Sequence, residues 1–218
     1  MQKCVVVPIK TNNKRLPGKT FRLLNGKPLY TYLFSTLSKT GLDTYVDSSD
    51  EKILIAANEF GFKTFKRPEE YNQDHITGDE LISRDLKSLE NYDLIGLLHI
   101  TSPFLKEETI LNAIDILEED SSIDSLFGAV PRQGRFWYNE KPINHDPKNL
   151  LPTQNLIPVY EEAADAYFFR RKSFEKYGKR VCGNFKILNV GKIEATDIDT
   201  LDDFIMAESI LKWGIIQT

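Results

Sequence analysis

Cys4-Val5-Val6-Val7-Pro8-Ile9 runs directly into Lys10-Thr11-Asn12-Asn13-Lys14-Arg15-Leu16-Pro17-Gly18-Lys19. Three consecutive valines with no polar interruption read as a strand buried on both faces, as in a parallel sheet covered by helices. The segment that follows places four cations within ten residues and closes on a Pro17-Gly18 turn. A loop leaving the carboxyl end of a first strand lies where open α/β sheets bind ligands.

Outward from this stretch, short apolar runs alternate with helical patterns, the signature of βαβ units and a mainly parallel sheet. Leu29 to Leu37 reads as a helix and Thr44 to Val46 as a short strand. Ile53, Ala56, Ala57 and Phe60 share one face of a helix from Asp50, stopped by Gly61. Lys63 to Phe65 reads as a strand, Thr77 to about Leu89 as a helix, and Leu94 to His99 as a second central strand. Ile110, Ala113, Ile114 and Leu117 give a further amphipathic helix. Ser125 to Ala129, Ala166 to Phe169 and Phe185 to Val190 read as strands. Leu201 to Leu211 is a closing helix that begins on a capping-box-like Thr200-Leu201-Asp202-Asp203. The proline-rich, aperiodic stretch from Pro131 to Pro158 reads as an inserted arm in one domain spanning 1–218.

Composition narrows the function classes. A net charge of −4 argues against a general nucleic-acid binder. No apolar run approaches the ~20 residues of a membrane span, and the N-terminal run is too short for a secretory leader. Cys4 and Cys182 read as a reduced pair in a cytoplasmic protein, and His75, His99 and His145 lack metal-ligand spacing.

Four constellations carry chemistry. Lys10, Lys14, Arg15 and Lys19, with Asn12 and Asn13, suit a polyphosphate, although the spacing is neither GxxxxGK[ST] nor GxGxxG. A solvated basic loop is the plainer alternative. Asp197 and Asp199 alternate along an extended segment, so both carboxylates can face one place as hard ligands for Mg²⁺. Assistance to the Thr200 cap is the other reading of the same residues. His99-Ile100-Thr101-Ser102-Pro103 sets hydroxyl groups at the end of a central strand, where a turn is the default. Lys66-Arg67-Pro68, followed by Asp74 and Thr77, offers groups that read a base edge or pair on the surface.

In this order the landmarks resemble the cytidylyltransferase family that includes the CMP-sialic acid and CMP-Kdo synthetases. Val5 to Lys10 with Arg15-Leu16-Pro17-Gly18-Lys19 is similar to that family's strand and CTP loop. Asn25-Gly26-Lys27-Pro28-Leu29, Ser48-Ser49-Asp50-Glu51, Arg67-Pro68, Thr101-Ser102-Pro103 and Asp197-Ile198-Asp199-Thr200 continue the match. The resemblance implies a three-layer, Rossmann-like α/β nucleotide-binding domain with an arm that crosses to a second subunit, hence a homodimer. It implies transfer of CMP from CTP to a small-molecule acceptor, an acidic sugar for surface glycans.

Lys10, Arg15 and Lys19 would then be catalytic, with Lys10 standing where the family has Arg. Pro8, Ile9, Asn12, Asn13, Arg67, Thr77, Thr101 and Ser102 would bind nucleotide, Arg67 and Thr77 near cytosine. Asp197 and Asp199 would hold Mg²⁺. Departures fall on the acceptor side. His99-Ile100 replaces Gln-Pro, and Glu162-Ala163-Ala164-Asp165 replaces Arg-Pro-Asn-Gly. His99, Glu162 and Asp165 are therefore the acceptor-binding candidates, and the two acids favour an amine over a carboxylate there. A phosphonate or phosphorylated-amine acceptor, or a nucleotide-binding module without chemistry, stays open on the residues alone.

Overall fold

The computed structural model describes residues 1–216, apart from the side chains of Ala164 and Asp165. The valine run forms β1 (Lys3–Pro8), with Cys4 to Val7 wholly buried. Successive side chains of a strand point to opposite faces. Val5 and Val7 accordingly enter one core and Cys4 and Val6 another. That division makes three layers.

Along the chain follow a small hairpin of β2 (Leu23–Leu24) and β3 (Lys27–Pro28), then α1 (Tyr30–Thr40), β4 (Asp43–Ser48), α2 (Glu51–Glu59) and β5 (Lys63–Lys66). Next come α3 (Gly78–Asp85), β6 (Leu94–Leu98), α4 (Glu107–Glu119), β7 (Ser125–Arg132), β8 (Trp137–Tyr138) and β9 (Lys141–Pro142). The chain ends through β10 (Val159–Arg170), α5 (Arg171–Tyr177), β11 (Phe185–Asn189) and α6 (Leu201–Lys212). Seven strands form one sheet in the order β11-β7-β10-β6-β1-β4-β5. All are parallel except β10, which runs antiparallel to β6 and β7.

One core packs α1, α2 and α4 on the sheet through Leu33, Phe34, Ile53, Ile110 and Ala113. The other packs α3 and α5 through Ile82, Leu86 and Phe174. A third apolar cluster joins Leu16, Leu24, Leu29, Phe104, Ile198, Phe204 and Ala207. It matters for function, because it anchors the loop after β1 and the Asp197–Asp199 segment to the same core.

Three departures from the sequence reading have local causes. The third helix ends at Asp85 and tightens into a 3₁₀ turn at Leu86–Ser88 instead of reaching Leu89. The strand expected at Ala166 begins at Val159, and a register shift between Glu162 and Tyr167 breaks its alternation. The α5 helix and the β2–β3 hairpin are too short to show a period.

From Gln133 to Pro158 the chain leaves the sheet, while Pro131 and Arg132 still pair within it. Asn144 staples this excursion, accepting from Phe136 N–H at 3.0 Å and donating to the Gly134 and Ile157 carbonyls at 2.8 and 2.9 Å. Trp137, Tyr138, Leu150, Leu151 and Ile157 are exposed along it.

Candidate active site

The loop after β1 is held from within. Leu16 is buried in the third core, and Gly18 takes φ +70°, a left-handed conformation that suits glycine. The next three residues, Lys19–Phe21, form a 3₁₀ turn. Asn13 Nδ2 donates to the Lys10 carbonyl at 3.0 Å, and the buried Thr20 hydroxyl donates to the same carbonyl at 3.3 Å. The backbone is thereby curled so that Lys10, Arg15 and Lys19 face one side.

That side is a cleft of about 350 Å³ at the carboxyl ends of β1 and β6. It brings together Pro8, Ile9, Lys10, Asn13, Arg15 and Lys19, His99 and Thr101, and Asp197 and Asp199. Lys19 is only 6% exposed, and its ammonium donates to the Ile198 carbonyl at 2.8 Å and to Asp199 Oδ1 at 2.9 Å. Arg15 Nη1 lies 2.5 Å from Asp199 Oδ2. Ile198 N–H donates to the Thr101 carbonyl at 2.8 Å and so ties the acidic segment to the end of β6. Basic loop and acidic segment, far apart in sequence, are one assembly.

The cap of α6 is made by Thr200 and Asp203. Asp203 Oδ2 accepts from Thr200 N–H at 2.7 Å, and Thr200 Oγ1 accepts from Asp203 N–H at 3.4 Å. Asp197 and Asp199 are thus left to line the cleft. Their hard carboxylate oxygens suit a divalent cation that keeps water or phosphate as its other ligands. No cluster of three or more His, Cys, Asp or Glu ligands occurs among the described residues, so the protein alone would supply a partial shell. A cation there would share Asp199 with Lys19 and Arg15, which already meet its two oxygens.

Two further hollows adjoin the cleft. One, of about 400 Å³, takes in Asn12, Lys10, Lys14 and Asp74. Lys10 Nζ lies 2.5 Å from Asp74 Oδ1, and Lys14 pairs closely with the other oxygen. Hydrogen bonds from Lys10 and then Lys14 hold the Asp74 carboxyl down at about 2.

The other, of about 350 Å³, takes in Lys10, Arg67, Tyr71, His99 and Arg180. Arg67 is not a surface residue there. It is 3% exposed, and its Nε donates to Asp47 Oδ2 and its Nη2 to the Asp47 carbonyl, both at 2.9 Å. Arg84 reaches Asp47 Oδ1 and Asp85 Oδ1, each at 2.6 Å, and stacks over the Tyr71 ring. Burial, reinforced by Asp47, pushes the Asp85 carboxyl up to about 7 against the pull of Arg84.

Several predicted residues sit elsewhere. Thr77 is the N-cap of α3, its hydroxyl donating to Glu80 Oε2 at 2.8 Å in a capping box. Ser102 is fully buried behind the cleft. Glu162 is exposed and accepts from the Tyr167 hydroxyl at 2.6 Å. The side chain of Asp165 lies outside the described residues. Thr20 and Arg180 were not found from sequence. Thr20 follows Lys19 directly, whereas nothing around Arg180 signals a site before the chain is folded.

Comparison with known proteins gives this geometry a family. A cytidylyltransferase family model matches residues 4–194. The pseudaminic acid cytidylyltransferase of Campylobacter jejuni is 24% identical, with 97% of each chain covered. The 3-deoxy-manno-octulosonate cytidylyltransferase 2 of Hydrogenovibrio crunogenus is 30% identical over 100% of this chain and 90% of its own. The CMP-N,N'-diacetyllegionaminic acid synthase of Legionella pneumophila is 28% identical, with 97% of each covered. Among solved structures, a CMP:2-keto-3-deoxy-manno-octonic acid synthetase complexed with CTP superposes with a TM-score of 0.72 at 16% identity, covering 98% of this chain and 99% of that one, and shares the fold. With the family matched along most of its length, the chain belongs to the cytidylyltransferases and is a CTP-dependent nucleotidyltransferase.

Proposed function

We propose that the protein transfers CMP from CTP to a hydroxyl of an acidic sugar of the ulosonate or nonulosonate class, in a Mg²⁺-dependent reaction in the cytoplasm. The observation that carries this reading is the convergence of Lys10, Arg15 and Lys19 with Asp197 and Asp199 on one cleft. The names of the relatives from Campylobacter, Legionella and Hydrogenovibrio support the acceptor class.

The acceptor oxygen bonds to the α-phosphorus as the bond to pyrophosphate breaks, and the acceptor's hydroxyl proton passes to solvent. Lys19, already fixed by two hydrogen bonds, presents its charge without reorganisation, which is how electrostatic catalysis gains most. Arg15 and Lys10 are held by Asp199 and Asp74 through exposed pairs, and phosphate oxygens take over those partners. Lys10 contributes charge without the planar fork of an arginine. Asp197 and Asp199 would hold Mg²⁺, which would supply neutralisation of phosphate charge and polarisation of the phosphoryl group. The exposed aromatic and aliphatic side chains of the 133–158 excursion suit a second copy of the chain. Sedimentation as a monomer at micromolar concentration would contradict that homodimer.

A pyrophosphate-release screen tests the chemistry, with four nucleoside triphosphates against acidic sugars, phosphonates and phosphorylated amines, with and without chelator. Release is expected with CTP, Mg²⁺ and an acidic sugar. A Lys19→Met enzyme is expected to lose about 100-fold or more in turnover. Release with phosphonates alone would move the acceptor to another class. CTP binding without release on any acceptor would leave a binding module.

A further inference from the structure

We propose that Arg180, on the loop between α5 and β11, receives the carboxylate of the acceptor and so selects acidic over neutral sugars. This rests on the acidic-sugar reading above. The Glu162–Asp165 segment carries acids where a cation would suit such a guest. A cation reaches the same neighbourhood from another part of the chain.

The Arg180 guanidinium lies 4.3 Å above the centre of the Tyr167 ring, and the hydroxyl of that ring donates to Glu162. Its Nη1 packs so closely on Gly78 that a Cβ there would stand 2.5 Å away. Gly78 is the first residue of α3 and does not have a positive φ, so the space, not the backbone, is what glycine provides. Asp79 accepts from the Arg180 backbone N–H at 3.2 Å, but Nη1 is 4.0 Å from its nearer oxygen. Among the described residues the guanidinium therefore donates no hydrogen bond while two surfaces hold it in place.

It faces the hollow it shares with Lys10, Arg67 and His99, continuous with the cleft through Pro8, Lys10 and His99. A planar fork held with unspent donors matches the two oxygens of a carboxylate. Lys14, Arg15 and Lys19 line other parts of the site. The nucleotide phosphates thus have their own cations, and Arg180 is left for a group on the acceptor.

The test compares wild type, Arg180→Ala, Arg180→Lys and Gly78→Ala on an acidic 2-keto-3-deoxy sugar and its carboxamide, with CTP affinity measured by calorimetry. Arg180→Ala is expected to raise the acceptor KM about tenfold to a hundredfold on the acid. The acid-over-amide preference should collapse, with CTP affinity unchanged. Arg180→Lys should recover part of the preference, since it keeps charge but not the fork. Gly78→Ala, which displaces the guanidinium without removing it, should weaken the preference in the same direction. Weakened CTP binding with the preference intact would overturn the proposal and assign Arg180 to the nucleotide. So would an unchanged acceptor KM. Failure of the underlying reading looks different, because wild type itself would then release no pyrophosphate with acidic sugars.

Discussion

Two groups of basic side chains and aspartates flank the carboxyl end of β1, and they differ in access to water more than in composition. Toward β4, Asp47, Arg67, Arg84 and Asp85 form a dry network in which Asp47 is wholly buried. Toward the basic loop, Lys10 and Lys14 share Asp74, and Arg15 shares Asp199 with Lys19. Lys14 and Arg15 are 76% and 69% exposed there. A desolvated pair is costly to break on one side, whereas an exposed pair contributes little and exchanges readily. The dry network therefore fixes the floor of the Arg67 hollow. The wet pairs keep Lys10, Lys14 and Arg15 in place until phosphates take them, while the buried Lys19 stays fixed on Asp199.

Breaking the dry network should have the largest effect. Asp47→Ala strands Arg67 and Arg84 without their carboxylate and is expected to lower unfolding stability by about 3–5 kcal/mol. Urea denaturation measures this, and a loss no greater than that of an exposed aspartate would refute the distinction between the clusters.

The same network predicts a pH dependence. Native Asp85 keeps its proton up to about 7, while the unfolded carboxyl releases it near the ordinary aspartate value of 3.8. Between those values the native state binds more protons, so this group makes stability fall as pH rises from about 4 to 7. Asp85→Asn should flatten that slope, by on the order of 1 kcal/mol per pH unit. An identical slope in wild type and variant would show that another group sets it.

The smallest effect belongs to the wet cluster. Asp74→Asn should leave the unfolding midpoint unchanged and tighten triphosphate binding about two- to fivefold, because Lys10 and Lys14 no longer have a competing partner. The gain should fade at high salt, as expected of exposed charges. Calorimetric titration at two salt concentrations checks both points.

How much of this was legible beforehand depended on the range of each interaction. The valine run, the α4 face and the Thr200 capping motif are patterns within a few residues, and the structure has them where the sequence put them. The departure of the chain from the sheet after Arg132 was legible as a change of composition. Thr77 was legible as a polar residue before a helix, but the same hydroxyl that suggested a nucleotide contact is spent on the cap. Arg67 illustrates the opposite case. Beside Lys66, which pairs with Glu51 at the surface, it looked like one of two similar cations, yet its partner is a wholly buried aspartate on the neighbouring strand.

The sequence by itself determined the strand–loop–helix grammar, the basic loop and the acidic pair, since hydrophobic period and turn chemistry act within a short window of chain. Only the tertiary structure decided that Lys19 meets Asp199, that Asp47 gathers Arg67 and Arg84, and that Arg180 stands over Tyr167. Those choices follow from sheet order and from which side chains lose water, and both are properties of the packed molecule. A charge read in the chain has no fixed strength until its neighbours and its solvent are known.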